Sequence, residues 1–116
     1  MNQSKKLAKK DKIFIIDWLA EHYPNAFFKK HNQIKPLKLG IYEDVLDFYE
    51  RLDTPIFSKS DLKEALNFYS ASPAYLSSQK ENAARIDLFG NEVDVVTKEQ
   101  ADYAKSKYES RYTKPE

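Results

Sequence analysis

The sequence lacks cysteine altogether and has only two glycines among its 116 residues. The absence of cysteine excludes disulfide bonds, a thiol nucleophile and thiolate metal sites. With so little glycine, the chain has none of the Gly-rich loops that cradle phosphates in many nucleotide-binding enzymes. Its apolar runs are too short to span a membrane and no signal-peptide pattern opens it, so we expect a cytoplasmic protein.

The sequence also lacks a clear excess of charge of either sign. It has 19 lysines and arginines against 18 aspartates and glutamates, a net charge of +1. The first twelve residues hold five lysines and one aspartate, +4, which leaves −3 for the rest. Because the chain is not basic overall, any anion must bind to a localised face. We expect a basic tail at 1–12 and one monomeric domain at 13–116.

Apolar and aromatic residues are plentiful and predict a folded chain. Apolar spacing predicts a first helix that is capped by Asp11, runs to about His22 and is ended by Pro24. The residues expected on its inward face are Ile13, Ile16, Leu19, Ala20 and Tyr23. The remaining large aromatic residues assigned to the core are Phe14, Trp18, Phe27, Phe28 and Phe68.

A second helix is predicted from about Gly40 to Leu52, with its acidic residues facing solvent. Ser58 and Asp61 form a capping-box pattern that opens a third helix. Ser72 followed by Pro73 is typical of the start of another, short helix.

Over residues 84–95 apolar and polar residues alternate, which predicts β-strands. Gly90–Asn91 between the two halves indicates the turn of a β-hairpin. Ile86 is expected on one face of the first strand and Arg85 on the other. Thr97 and Gln100 form a second capping box, which opens the last helix. The predicted fold is therefore a mostly helical α+β domain with one small β-hairpin.

The patterns of common catalytic sites are missing. His22 and His31 have no neighbours at metal-ligand spacing, and no nucleophile elbow is present. The carboxylates between Glu43 and Glu50 lie on a predicted solvated helix face, where paired acid–base catalysis is not expected. We therefore expect no enzyme, no cofactor and no metal.

Four segments, taken together, resemble the ProQ/FinO family of bacterial RNA-binding domains. They are FIIDWLAEHYPNAF, KPLKLGIYEDV, SKSDLKEALNFYSASPAYL and AARIDLFGNEV. Each is a weak signal alone, but their order and spacing match the family from about Ile13 to Tyr108. The resemblance implies a minimal, single-domain RNA chaperone that acts in post-transcriptional regulation by small RNAs. Its partners would be structured RNAs, small RNAs and messenger 3′ ends that finish in a terminator hairpin and a uridine tail.

The resemblance also implies the binding residues. Lysines would contact the duplex backbone, and a turn before a helix would hold the RNA 3′ end with a tyrosine and an arginine. The residues that match these positions are Lys38, Lys59, Lys63, Ser70, Ala71, Ser72, Tyr75 and Arg85. Helix N-termini bind phosphates, and A-form RNA exposes phosphates, 2′-hydroxyls and unpaired ends, so this chemistry suits the target.

Each residue also has a purely structural interpretation. Lys38, Lys59 and Lys63 could be solvated lysines. Tyr75 could belong to the core, and Arg85 could form an ion pair with Asp87. The alternative function is a protein-interaction domain with weak or no RNA binding, which the near-neutral charge and the acidic second helix favour.

Overall fold

The computed structural model describes residues 7–112 of the chain. In this range five helices and two strands follow the order α1 (Lys9–His22), α2 (Ile41–Tyr49), α3 (Lys59–Ser70), α4 (Pro73–Ser78), β1 (Ala84–Ile86), β2 (Glu92–Val95) and α5 (Lys98–Tyr112), with a 3-10 turn at His31–Gln33. The mostly helical α+β domain with one hairpin is thus confirmed. No helix within these residues has both the length and the hydrophobicity needed to cross a membrane.

The core lies where α1, α2 and α3 meet. Leu19 of α1, Val45 of α2 and Leu62 of α3 are fully buried within it. Tyrosine side chains close its edges. The hydroxyl of Tyr69 accepts a hydrogen bond from the N–H of Phe28 at 3.1 Å, and burial raises the pKa of Tyr69 to about 12. These aromatic residues tie the connection after α1 to α3.

The inward face of α1 is the predicted one except at its start: Leu19 and Tyr23 are buried and Ile16 and Ala20 pack against the core. Ile15 and Leu19 are its buried residues, whereas Ile13 and Phe14 are exposed. Residues 13–16 are all apolar and together point in every direction around a helix, so periodicity alone could not select the buried face. Packing against α3 selects it.

The start of α1 also differs from the prediction. The helix begins at Lys9, and its N-cap, Ala8, makes no side-chain hydrogen bond. Asp11 lies in the first turn, where a carboxylate favours the positive end of the helix dipole without capping it. Residues 9–12, which were predicted as part of the basic tail, therefore belong to the helix. Residues 1–6 of that predicted tail lie outside the described range.

The other predicted helix starts are confirmed. The side chain of Ser58 accepts a hydrogen bond from the N–H of Asp61, and Ser72 caps α4 in the same way through the N–H of Tyr75. Thr97 and Gln100 form a reciprocal capping box at α5, with hydrogen bonds of 3.1 and 3.0 Å. α2 ends at Tyr49, three residues before the predicted Leu52.

The segment before α2 lies alongside β1. The N–H of Lys38 donates to the carbonyl of Ile86 at 2.8 Å, and the N–H of Ile86 donates to the carbonyl of Pro36 at 3.0 Å. Gly40 then turns the chain into α2 with a φ of +88°, a conformation that costs little only for glycine. Pairing with β1 and this turn fix the backbone on both sides of Lys38.

The β-hairpin forms as predicted, but the burial of its faces does not match a simple alternation. β1 and β2 are antiparallel, with Ala84 opposite Val95 and a bulge between Arg85 and Ile86. Both Arg85 and Ile86 are buried, while all of β2 is exposed. Arg85 therefore does not lie on a solvent face, because its guanidinium is enclosed by Leu37, Gln79 and Gln100, to which it donates hydrogen bonds.

The conformation of Gly40 generates the first prediction. A Cβ atom added there would meet nothing closer than the Glu43 carboxylate oxygen at 3.7 Å. The cost of Gly40→Ala should therefore be backbone strain alone, about 1 kcal/mol of unfolding free energy. Gly40→Asn should cost less, because asparagine tolerates the left-handed region. Denaturant unfolding measures both variants, and equal stability of the Ala and Asn variants would contradict the expected strain.

Candidate functional site

Arg85 is the most unusual side chain in the described part of the molecule. It is a guanidinium that is only 4% exposed. One terminal nitrogen donates to the carbonyl of Leu37 at 2.8 Å. The other donates to the side-chain oxygens of Gln79 and Gln100, both at 3.1 Å. These partners hold the guanidinium in one orientation.

All three partners of Arg85 are neutral. Among residues 7–112, no carboxylate forms an ion pair with it. The possible ion pair with Asp87 is absent, because the Asp87 carboxylate accepts hydrogen bonds from Phe89 and Asn91 instead. A buried charge without a counter-charge is costly, so the site favours binding of an anion.

Two buried donors at this site also lack acceptors. The Nε of Arg85 and the Nε2 of Gln79 have no hydrogen-bond partner in the described residues. Unsatisfied buried polar groups are uncommon in folded proteins. The guanidinium therefore has neither a counter-charge nor a full set of hydrogen-bond acceptors among the described residues.

Arg85 and Gln79 line a pocket of about 380 Å³ between α3, α4 and α5. This volume lies within the range of small-molecule sites. Leu39 and Tyr103 add apolar surface, and Lys107 and Glu99 add one charge of each sign. The residues that line the pocket are Leu39, Ser70, Tyr75, Leu76, Gln79, Arg85, Glu99, Gln100, Tyr103, Ala104 and Lys107.

Tyr75 is both a core residue and a residue of the pocket. Its side chain is buried, as the structural interpretation predicted, and its hydroxyl accepts a hydrogen bond from the N–H of Leu37 at 3.0 Å. Since the Leu37 carbonyl accepts from Arg85, one peptide segment positions both side chains. The structure thus brings together three of the residues implied by the resemblance, Ser70, Tyr75 and Arg85.

Ala71 and Ser72 are not among the residues of this pocket. They line a separate groove together with Lys9, Lys12 and Arg111. The hydroxyl of Ser72 caps α4 and donates to the carbonyl of Tyr69, and the carbonyl of Ala71 accepts from Tyr112. Their polar atoms therefore already have partners within the protein.

The three predicted lysines differ in their surroundings. The Nζ of Lys38 lies 2.7 Å from the carboxylate of Asp44, and that of Lys59 lies 2.6 Å from Glu50. Lys63 forms no ion pair within the described range, and its Nζ lies 6.0 Å from the centre of the Tyr42 ring. Two of the three lysines are thus paired with carboxylates, Asp44 of α2 and Glu50 directly after it.

These pairs change the titration of both lysines. The hydrogen bond to Asp44 is the main cause of the raised pKa of Lys38, and Asp87 contributes a further negative charge. Glu50 raises the pKa of Lys59 in the same way. Both lysines stay protonated at neutral pH, and an incoming phosphate must compete with a carboxylate for each.

Sequence reasoning missed the α5 contribution to the pocket. Gln100, Tyr103 and Lys107 follow helical spacing on one face of α5. The Thr97–Gln100 pattern has a sufficient explanation as a cap. The spacing of these three residues is the available signal, but only the packing of α5 against α4, with Gln100 bonded to Arg85, gives it meaning.

Comparison with known proteins identifies the family. The sequence profile of the ProQ/FinO family matches residues 10–116. The chain belongs to the ProQ/FinO family. It is 36% identical over 115 residues to the RNA chaperone ProQ of Aliivibrio fischeri, covering 98% of this chain and 52% of that protein. It is 39% identical over 104 residues to the RNA chaperone ProQ of Idiomarina loihiensis, covering 90% and 48%. The chain spans about half the length of these curated relatives.

Solved structures in the same family share the fold. The solution structure of a ProQ homolog from Legionella pneumophila is 63% identical, covers 100% of this chain and 95% of that one, and has a TM-score of 0.82. The crystal structure of a FinO-like RNA chaperone from Neisseria meningitidis is 22% identical, covers 94% and 83%, and has a TM-score of 0.65. The latter likeness is one of fold alone.

The hydrogen bond between Tyr75 and Leu37 generates the second prediction. Tyr75→Phe leaves the buried N–H of Leu37 without a partner, so it should lower the free energy of unfolding by about 1–3 kcal/mol. Tyr103→Phe removes a hydroxyl from an exposed ring in the same pocket and should change it by less than about 0.5 kcal/mol. Denaturant titration of both variants makes the comparison, and equal stability would contradict a structural role for the Tyr75 hydroxyl.

Proposed function

We propose that this domain is an RNA-binding module of an RNA chaperone, with structured RNA as its partner. The observation that carries the proposal is the buried Arg85 guanidinium, which has neutral partners and faces a pocket large enough for a nucleotide. A terminal nucleotide would supply a phosphate as the counter-charge that Arg85 lacks among the described residues. The names of the curated relatives, RNA chaperones, point to the same class of ligand.

The pocket is proposed to hold the 3′ end of the RNA, downstream of a terminator-type hairpin. Arg85 and Lys107 would attract the last phosphate. Glu99 lines the same pocket, and its carboxylate would accept a hydrogen bond from a terminal hydroxyl but repel a terminal phosphate. The site would therefore select ends with a free 3′-hydroxyl, as in uridine-tailed small RNAs and messenger ends in the cytoplasm.

The duplex is proposed to contact Lys38, Lys59 and Lys63. Lys59, Lys63 and Ser70 are spaced by four and seven residues along α3, so they share one face that leads to the pocket. At Lys38 and Lys59, RNA phosphates would replace the carboxylates of Asp44 and Glu50. Because one ion pair would be exchanged for another, these contacts would add little non-specific affinity. Discrimination between RNA ends would then depend on the pocket.

A protein-interaction domain is the second candidate, and the acidic residues of α2 are the observation that favours it. Asp44 of α2 and Glu50, which directly follows the helix, both pair with lysines of the same chain, so fewer carboxylates remain for a basic partner. We expect a pull-down from cells to lose its specific components after ribonuclease treatment. Protein partners that persist after the treatment would support the second candidate instead.

The third prediction concerns the lysines. Replacing Lys38, Lys59 or Lys63 by alanine should weaken binding to all hairpin RNAs alike. Each lost contact should reduce the slope of log affinity against log salt by at most about 0.9, the duplex-DNA value per phosphate contact. Lys98→Ala is the matched control, since Lys98 also forms an exposed ion pair, with Asp102, but lies on α5 outside this face. Equal effects of all four substitutions would show only a loss of net charge.

The fourth prediction concerns the competing carboxylates. Asp44→Asn breaks the ion pair of Lys38, so no carboxylate competes with an RNA phosphate for this lysine. RNA affinity should increase and depend more steeply on salt, because Lys38 then neutralises a phosphate that would otherwise hold counterions. Asp102→Asn removes the same charge and breaks the Lys98 pair, so it controls for net charge. Titrations at several salt concentrations compare the two. A gain no larger than that of Asp102→Asn would exclude competition at Lys38.

The fifth prediction concerns the RNA end. A hairpin with a short uridine tail and a free 3′-hydroxyl should bind more tightly than the same RNA with a 3′-phosphate, by about 1–3 kcal/mol. Glu99→Gln should reduce this difference, whereas Glu109→Gln, on the same helix but outside the pocket, should preserve it. Competition titrations with the two RNAs measure the difference. Equal affinity of the unmodified protein for both ends would refute the proposed 3′-end pocket.

A further inference from the structure

The pocket of Arg85 carries more exposed apolar surface than a phosphate site requires. Tyr103 and Leu39 both line it, and they remain 66% and 58% exposed. They come from separate parts of the chain, α5 and the loop before α2. A phosphate and a ribose hydroxyl have no use for such surface, whereas a nucleobase has two flat faces that stack on aromatic rings.

We propose that Tyr103 is the stacking platform for the base of the 3′-terminal nucleotide. This inference rests on the proposed function, since it assigns a position to the base of the nucleotide whose phosphate lies at Arg85. Tyr103 would thereby contribute to affinity for any base and favour RNA ends whose last base is unpaired and free to leave the stem.

The surroundings of the ring agree with this role. Within residues 7–112 no other aromatic ring pairs with Tyr103. The Nζ of Lys107 lies 5.6 Å from the ring centre, within the distance for a cation–π contact. Because Lys107 also lines the pocket, it places a positive charge beside the proposed position of the phosphate.

The position of Tyr103 follows from the groups below it. Gln100 and Tyr103 are one helical turn apart on α5, and Gln100 is fixed by two interactions: its side-chain oxygen accepts from Arg85 and from the N–H of Thr97. The ring is thus attached to a helix whose first turn is bonded to the anion-binding group. A base on Tyr103 and a phosphate at Arg85 would be held by one rigid unit.

The test uses two hairpin RNAs with identical uridine tails and 3′-hydroxyls, one of which carries a ribose without a base as its last nucleotide. Affinities are measured by fluorescence anisotropy for the unmodified protein and for Tyr103→Phe, Tyr103→Ala and Phe89→Ala. Phe89 is a matched control, because it is an aromatic residue 72% exposed at the hairpin turn and outside the pocket. Thermal unfolding of each variant checks that the fold is retained.

Tyr103→Ala should weaken binding of the complete RNA about tenfold, the usual scale of stacking on one base. It should leave binding of the abasic RNA nearly unchanged. Tyr103→Phe, which keeps the ring, and Phe89→Ala should both behave as the unmodified protein does.

Equal loss for both RNAs, or no loss for either, would overturn the stacking role of Tyr103 while leaving the proposed function intact. Failure of the unmodified protein to bind either hairpin would overturn the proposed function itself, and with it the role of Tyr103.

Discussion

The guanidinium of Arg85 joins the parts of the chain that make the pocket. Its hydrogen bonds reach the segment before α2 through Leu37, the end of α4 through Gln79 and the first turn of α5 through Gln100. A charge in this position must be held by oriented dipoles when no carboxylate is near it. The same interactions that stabilise the buried charge therefore define the walls of the pocket, so the shape of the proposed binding site depends on one side chain.

The charge distribution explains how a nearly neutral domain can be proposed to bind RNA. Asp44 and Glu50 neutralise Lys38 and Lys59 in the free protein, whereas Arg85 has no acidic partner in the described part of the chain. Exposed ion pairs contribute little stability and are easily exchanged, but an unpaired buried charge has a strong preference for an anion. We therefore expect the exposed face to provide weak, general attraction and the pocket to provide selectivity.

Several structural predictions held because they depend on local chemistry. Ser58, Ser72 and the Thr97–Gln100 pair cap their helices as the sequence indicates, since a cap involves residues two or three positions apart. Gly40 adopts the left-handed conformation for which glycine is suited. The inward face of α1 was predicted correctly except at its start, where Ile15 is buried and Ile13 is exposed. Consecutive apolar residues at 13–16 satisfy several faces equally well, and only the contact with α3 distinguishes them.

For the site, the sequence alone determined the family, the order of the elements and the candidate positions Tyr75 and Arg85. It could not reveal that Arg85 is buried, that its partners are neutral or that Tyr103 and Lys107 lie beside it. Most of those facts arise from residues far apart in the chain, such as Arg85 and Gln100, 15 positions apart, and Arg85 and Leu37, 48 positions apart. Burial and electrostatic pairing depend on such long-range packing, so only the tertiary structure decided them.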